Sequence, residues 1–142
     1  MQRRDFIKTS CIACATAVGA SALASLLNSC TPLTLIKTEA VNGTIIIPKT
    51  AFTDNQKQLL VRNSKMEYDI LLIKKTDEAY NALYMQCSHE NQPLNANKSG
   101  LFCSSHGSAF DFDGNVTQQP ASKPLRKFKT QSTNESIIIY LN

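Results

Sequence analysis

Short apolar runs separated by turn residues recur along the chain after residue 40. They are about four to eight residues long and rich in β-branched or aromatic residues, which is typical of strands. No window longer than a turn or two beyond residue 30 has a convincing helical period. The pattern therefore predicts an all-β domain. The runs lie at residues 43–48, 56–62, 68–75, 79–86 and 136–141.

Two turn signals predict how neighbouring strands pair. Residues 76–78 separate two of the apolar runs and predict a hairpin between them. In its second arm Leu83 and Met85 share one face, and Cys87 falls on the same line. The Asp-Gly pair at 113–114 predicts a second turn between two short arms.

The first thirty residues are typical of a bacterial export signal. A basic start is followed by a weakly apolar run at 11–27 and then by small residues. The pair Arg3 and Arg4 resembles a twin-arginine signal, whose pathway exports folded proteins and so suits a chain that acquires a cofactor in the cytoplasm. Residues 27–30, "LNSC", resemble a lipobox, in which cleavage precedes a cysteine that then carries lipid.

These signals predict the organisation of the chain. We expect a signal peptide at 1–29, a lipid on Cys30, a linker at 30–41 and one domain at 42–142. The protein would then be a membrane-anchored lipoprotein on the periplasmic side. The alternative is an uncleaved anchor helix, although residues 11–27 are short and only weakly apolar for a membrane span.

Composition and charge narrow the classes of function. The chain is 42% apolar and 18% charged, as in ordinary globular proteins. Of the net charge of +4, the first 29 residues supply +2, from three basic residues and one acidic residue. This leaves no evidence for a nucleic-acid surface. One stretch late in the chain is basic and contains Lys123, Arg126, Lys127 and Lys129. It is either a solvated strand face or a docking surface for an acidic partner.

Two cysteines and two histidines form the candidate site. Each of the segments "CSH" at 87–89 and "CSSH" at 103–106 supplies one sulfur and one nitrogen, and residues 31–142 contain no other cysteine or histidine. Thiolates and imidazoles are the ligands of zinc and iron-sulfur centres. The usual zinc finger has its cysteines in one arm and its histidines in the other, so the mixed arms favour a binuclear centre with both sulfurs on one iron. A zinc site and a disulfide between the cysteines are the alternatives.

The motif CxH followed by CxxHG resembles the Rieske family of [2Fe-2S] proteins, from about residue 42 to 142. The likeness is densest in "YMQCSHENQPL" and "LFCSSHGSAFDFDGNV". It implies an antiparallel β-sandwich with two cluster-binding hairpin loops and one [2Fe-2S] cluster. It also implies that Cys87 and Cys103 bind the inner iron, while His89 and His106 bind the outer iron at the tip of the domain. The ligand set gives potentials of roughly −150 to +300 mV rather than about −400 mV, so the implied function is single-electron transfer.

The resemblance further implies residues that tune the cluster. Members that belong to quinol-oxidising complexes carry an extra cysteine in each loop, joined as a disulfide, where this chain has Gln92 and Ser105. Ser108 matches a serine whose hydroxyl bonds to sulfur in the family, and Phe110 replaces a tyrosine with the same role. We therefore expect a potential below that of the quinol-oxidising type and above that of the lowest ferredoxin type.

One more segment carries the resemblance. Residues 118–125, "QQPASKPL", resemble the family's proline loop, which covers the cluster, with Pro120 and Pro124 as stiffening residues. We expect an exported electron carrier that works with a redox protein or a quinol-oxidising partner, and not a self-contained enzyme. A redox subunit of a larger oxidoreductase and a structural zinc module are the alternatives.

Overall fold

The computed structural model describes residues 33–53 and 55–142 of the chain. These residues form eleven strands and one turn of 3-10 helix at Lys49–Ala51. No helix in these two ranges is long and apolar enough to cross a membrane. The strands are β1 Thr34–Lys37, β2 Thr44–Pro48, β3 Gln58–Arg62, β4 Ile70–Lys74, β5 Tyr80–Tyr84, β6 Asn95–Ala96, β7 Leu101–Phe102, β8 Ala109–Phe110, β9 Val116–Gln118, β10 Lys127–Ser132 and β11 Ser136–Tyr140.

Seven strands form the larger sheet, in the order β1-β3-β4-β5-β10-β11-β2. All neighbours are antiparallel except β1 and β3, which are parallel. The hairpin predicted at residues 76–78 is confirmed, because β4 and β5 pair over five residues from Ile70 opposite Tyr84 to Lys74 opposite Tyr80. The expected all-β fold is confirmed.

The smaller sheet contains four strands in the order β6-β7-β8-β9. The predicted Asp-Gly turn lies between β8 and β9, and Gly114 has a φ of +86°, a conformation that glycine adopts without a steric penalty. The Asp111 carboxylate supports this turn by accepting the backbone N–H groups of Asp113 and Asn115 at 2.9 and 2.8 Å. The small sheet therefore depends on turn chemistry, because its strands are only two or three residues long.

The buried side chains form two cores. The base core lies against the larger sheet and consists of Ile45, Ile47, Leu59, Val61, Ile70, Leu72, Tyr80, Ala82, Tyr84, Phe128, Ile137 and Ile139. The site core consists of Leu71, Ile73, Leu83, Met85, Cys87, Leu94, Leu101, Cys103, Phe110, Ala121 and Leu125.

Strand β5 contributes to both cores. Leu83, Met85 and Cys87 all lie in the site core, as the alternation along this strand predicts. Tyr84, on the opposite face, lies in the base core and is 9% exposed. Both faces of β5 are covered because the base core packs on one face and the site core packs on the other.

Part of the segment expected to be a linker has regular structure. Residues 34–37 form β1, which pairs with β3 from Thr34 opposite Leu59 to Lys37 opposite Arg62, and the backbone N–H of Thr38 continues the pairing to the Arg62 carbonyl at 3.0 Å. A parallel partner more than twenty residues away leaves no turn signal in the sequence. The predicted export signal, lipobox and lipidated Cys30 lie outside the described residues.

Candidate metal centre

Cys87 and His89 lie in the first loop, residues 87–92, which follows β5. The Cys87 N–H donates to the Gln92 carbonyl at 2.8 Å, and the Leu94 N–H donates to the Met85 carbonyl at 3.0 Å, so the loop is the closed end of an irregular hairpin. Cys87 is 1% exposed because it continues the inward face of β5. His89 lies two residues further along this loop, and its side chain is exposed.

Cys103 and His106 lie in the second loop, residues 103–108, between β7 and β8. The Cys103 N–H donates to the Ser108 carbonyl at 2.8 Å, and the Gly107 N–H donates to the Cys103 carbonyl at 3.0 Å. Gly107 has a φ of +80°, which explains the glycine after the histidine. Cys103 is 1% exposed, whereas His106 is exposed.

The two loops bring the four predicted side chains together. Both cysteines are free thiols, so the alternative of a disulfide between them is absent from the structure. The Cys87 side chain lies within hydrogen-bonding reach of Cys103. The imidazole rings of His89 and His106 are nearly perpendicular at 86°, with centroids 5.1 Å apart. Two sulfurs thus lie inside the protein and two imidazoles lie at its surface.

The environment of Cys103 favours its thiolate. Burial raises the pKa of Cys103, but hydrogen bonds from the backbone of Ser105 and His106 lower it further than burial raises it, with help from the side chains of Cys87 and Ser105. The net direction is a lowered pKa. Since the thiolate is the form that binds metals, the donor set fits a [2Fe-2S] cluster with two sulfur and two imidazole ligands.

A third segment, residues 118–125, joins the two loops. The Ala121 N–H donates to the buried Ser108 hydroxyl oxygen at 3.0 Å, and Gln118 Nε2 donates to the Gly107 carbonyl at 2.7 Å. The Ser88 hydroxyl donates to the Lys123 carbonyl at 2.6 Å. These contacts agree with the expectation that residues 118–125 form a loop that covers the site.

The sequence did not single out Ser88 or Gln118. Their hydrogen bonds reach 35 and 11 residues along the chain. Such contacts form only when the chain is folded, so no local sequence pattern predicts them.

Two of the three predicted tuning residues are buried, and the third is exposed. Ser108 is fully buried, and Phe110 is 1% exposed within the site core. Pro120 is exposed and follows a cis peptide bond after Gln119. Gln92 and Ser105, which stand where the resemblance implies the extra cysteines of quinol-oxidising members, are both exposed. Hydrogen bonds to the third segment join the two loops.

Glu90 is a charged group at the site that the sequence analysis did not single out. Its Oε2 lies 3.7 Å from His106 Nδ1 on the opposite loop. One ligand atom from each of His89, Glu90 and His106 can be chosen so that all three lie within 4.8 Å of one another. Glu90 is visible next to His89 in the sequence, but its approach to His106 requires the two loops to face each other.

Two of the four side chains of the basic stretch contact the base. The Arg126 guanidinium lies 4.7 Å from the ring centroid of Phe128 and donates to the Leu141 carbonyl at 3.1 Å. Lys129 Nζ lies 5.9 Å from the ring centroid of Tyr140. Lys123 belongs to the segment that contacts both site loops. The docking of an acidic partner on this stretch stays a prediction.

Comparison with known proteins agrees with this fold. The sequence model of the Rieske [2Fe-2S] domain matches residues 45–129. The structure is similar to the crystal structure of the cyanobacterial plasma membrane Rieske protein PetC3 from Synechocystis PCC 6803, with a TM-score of 0.56 and 20% sequence identity over 67% of this chain and 97% of that one. It is also similar to the reduced complex between oxygenase and ferredoxin in carbazole 1,9a-dioxygenase, with a TM-score of 0.49 and 15% identity over 70% of this chain and 28% of that one. No curated protein matches the chain in sequence.

Proposed function

We propose a ligand set for the cluster of this chain, which belongs to the Rieske [2Fe-2S] family and is an electron-transfer protein with one [2Fe-2S] cluster. Cys87 and Cys103 bind the inner iron, and His89 and His106 bind the outer iron. The observation that supports this assignment is the arrangement of two buried free thiols and two exposed, nearly perpendicular imidazoles on facing loops. The cluster supplies one-electron chemistry.

The residues around the site have separate tasks in this proposal. The site core excludes water from the thiolates, and the backbone N–H groups of Ser105 and His106 stabilise the anionic form of Cys103. The exposed rings of His89 and His106 provide the surface through which an electron enters or leaves. A redox protein or a quinol-oxidising partner would dock at this end.

We also propose that Ser108, Phe110 and Pro120 tune the cluster. The Ser108 oxygen accepts the Ala121 N–H, so the hydroxyl hydrogen is available to a sulfur, whereas Phe110 offers no donor. Pro120 belongs to the segment that covers the site. With one hydrogen-bond donor fewer, the cluster should have a lower reduction potential than in quinol-oxidising members. A reduction potential above about +250 mV in a redox titration would contradict this.

The composition of the purified protein tests the cofactor assignment. Anaerobically isolated protein should be coloured, contain two irons and two inorganic sulfides in line with a [2Fe-2S] centre, and give an EPR signal when reduced. A colourless sample that contains zinc and no sulfide would reject the iron-sulfur site and favour the zinc module.

A histidine substitution tests the outer-iron assignment. His106→Cys should keep some iron but lower the potential, because an anionic thiolate replaces a neutral imidazole. Ser104→Cys is the matched control, since it adds a thiol to the same loop at an exposed position outside the proposed ligand set. Equal potentials in the two variants would count against His106 as a ligand.

We further propose that the protein is exported and held at the periplasmic face of the membrane by a lipid on Cys30, after removal of a signal peptide at 1–29. The support is the twin-arginine pattern and the "LNSC" segment. Cys30→Ser should release the protein from membranes. Retention of the variant through an alkaline wash would instead indicate an uncleaved anchor.

A further inference from the structure

The three segments at the site contain one carboxylate. Residues 86–92, 103–108 and 118–125 include Glu90 and no other acidic residue. Its carboxylate approaches His106 Nδ1 to 3.7 Å across the gap between the two loops. The described part of the chain brings no lysine or arginine within salt-bridge distance of Glu90. Its carboxylate therefore faces the imidazoles and has no lysine or arginine as an ion-pair partner among the described residues.

Reduction of the cluster adds one negative charge to this end of the protein. A fixed anion close by makes that addition less favourable, and the effect decreases with distance and with the local dielectric constant. The Glu90 side chain is 58% exposed and that of His106 is 44% exposed, so water screens part of the interaction. The expected effect on the equilibrium constant of reduction is several-fold, up to about tenfold.

We propose that Glu90 sets the reduction potential of the cluster by holding a negative charge against the proposed outer-iron histidines. This deepens the proposed function and rests on the assignment of His89 and His106 as ligands. Glu90 favours the oxidised state, so the reduced protein donates its electron more readily. Glu90 acts through the histidines and is a positioned charge, not a ligand.

The test compares the potentials of intact, cluster-loaded variants by redox titration. Glu90→Gln should favour reduction by several-fold, where a tenfold change equals 59 mV for a one-electron couple. Glu90→Lys should shift the potential further in the same direction, and Glu90→Asp should stay close to the native protein. All three variants keep the Glu90 backbone carbonyl, which accepts the Gln92 N–H and helps to shape the loop.

Glu135→Gln is the matched control, because it makes the same change in net charge in the turn between β10 and β11, far along the chain from the site loops. Its potential should equal that of the native protein. The shift in Glu90→Gln should also shrink between about 0.01 and 1 M salt, as the Debye length falls from about 30 to 3 Å.

The outcomes separate the two proposals. Equal potentials in the native protein, Glu90→Gln and Glu90→Lys would overturn the role of Glu90 while leaving the cluster assignment intact. An equal shift in Glu90→Gln, Glu90→Asp and Glu90→Lys would also overturn it, since the cause would then be shape and not charge. Native protein that lacks iron, sulfide and an EPR signal would reject the proposed function itself.

Discussion

The base and the site end of this domain share β4 and β5 but are held together differently. The base has strands of four to six residues, and β2 pairs with β11 over five positions that place Ile47 opposite Ile137. The site end has strands of two or three residues. It relies on hydrogen bonds between backbone groups and the side chains of Ser88 and Gln118, which donate, and Ser108, which accepts. Its core also includes both cysteines. We therefore expect the base to fold without a cofactor and the site end to depend on the cluster.

Removal of one proposed sulfur ligand should have the largest effect, and it should destabilise the site end but not the base. Cys103→Ser is expected to abolish the cluster, because a buried hydroxyl replaces a thiolate. Loss of visible absorbance measures this. Hydrogen exchange should show faster exchange in β7 and β8, while β2 and β11 stay protected. Loss of protection in all four strands would mean that the base also needs the cluster.

A cavity in the base should have the opposite outcome. Ile137→Ala removes part of a fully buried side chain and should cost about 2–5 kcal/mol in the free energy of unfolding, measured with denaturant. The reduction potential of the remaining folded protein should not change. Ile138→Ala is the control in the same strand, because Ile138 faces away from the base core and is only partly buried. A changed potential in Ile137→Ala would show that the two regions are coupled.

Loss of one hydrogen bond at the site end should have an intermediate effect. Ser108→Ala leaves the buried Ala121 N–H without its partner and should cost about 1–3 kcal/mol in unfolding free energy. The potential should fall if the hydroxyl also donates to sulfur. Ser104→Ala, in the same loop but exposed, should stay within about 0.5 kcal/mol of the native protein. An unchanged unfolding free energy in Ser108→Ala would show that the hydrogen bond between Ala121 and Ser108 does not stabilise the second loop.

The smallest predicted effect is a pH dependence at the turn between β8 and β9. Burial raises the pKa of Asp111, but hydrogen bonds from Asn115 and Asp113 outweigh it, so that the pKa is lowered. A lowered folded-state pKa stabilises the protein above the ordinary Asp value of about 4, and this benefit is lost as the pH falls through the folded-state pKa.

Asp111→Asn should therefore cost about 1 kcal/mol at pH 7 and less at pH 3, measured by denaturant unfolding at each pH. Asp77→Asn should show a weaker pH dependence of the same sign. Its hydrogen bond from Lys74 also lowers the pKa of Asp77, but the Asp77 side chain is 89% exposed and water screens the pair. A cost for Asp111→Asn that is equal at both pH values would exclude the carboxylate charge as its cause.

The two regions also differ in how far the sequence predicts them. Short apolar runs identify β2, β3, β4, β5 and β11. Alternate residues are buried in β2, β3 and β11, whereas nearly all residues are buried in β4 and β5. Strand β1 has mostly exposed side chains and a parallel partner distant in sequence, so no pattern marks it. The two-residue strands β6, β7 and β8 are too short to have a period.

At the site, residue type and spacing were sufficient to find the four candidate ligands, since thiols and imidazoles are rare in this chain and carry recognisable chemistry. Their neighbours could not be found in this way. Serine, glutamine and glutamate are common on any surface, and Ser88, Gln118 and Glu90 become significant only through partners on other segments.

The parallel pairing of β1 with β3 gives the domain a direction relative to the point where the chain enters it. Thr34 lies beside Leu59, at the end of the sheet opposite the first loop, and β1 runs from there toward the cluster end. From Ala82, which is level with Thr34, to Cys87 the chain advances about 17 Å at the rise of a strand. The described chain thus begins at the end of the sheet away from the thiols and imidazoles, and its first strand points toward them.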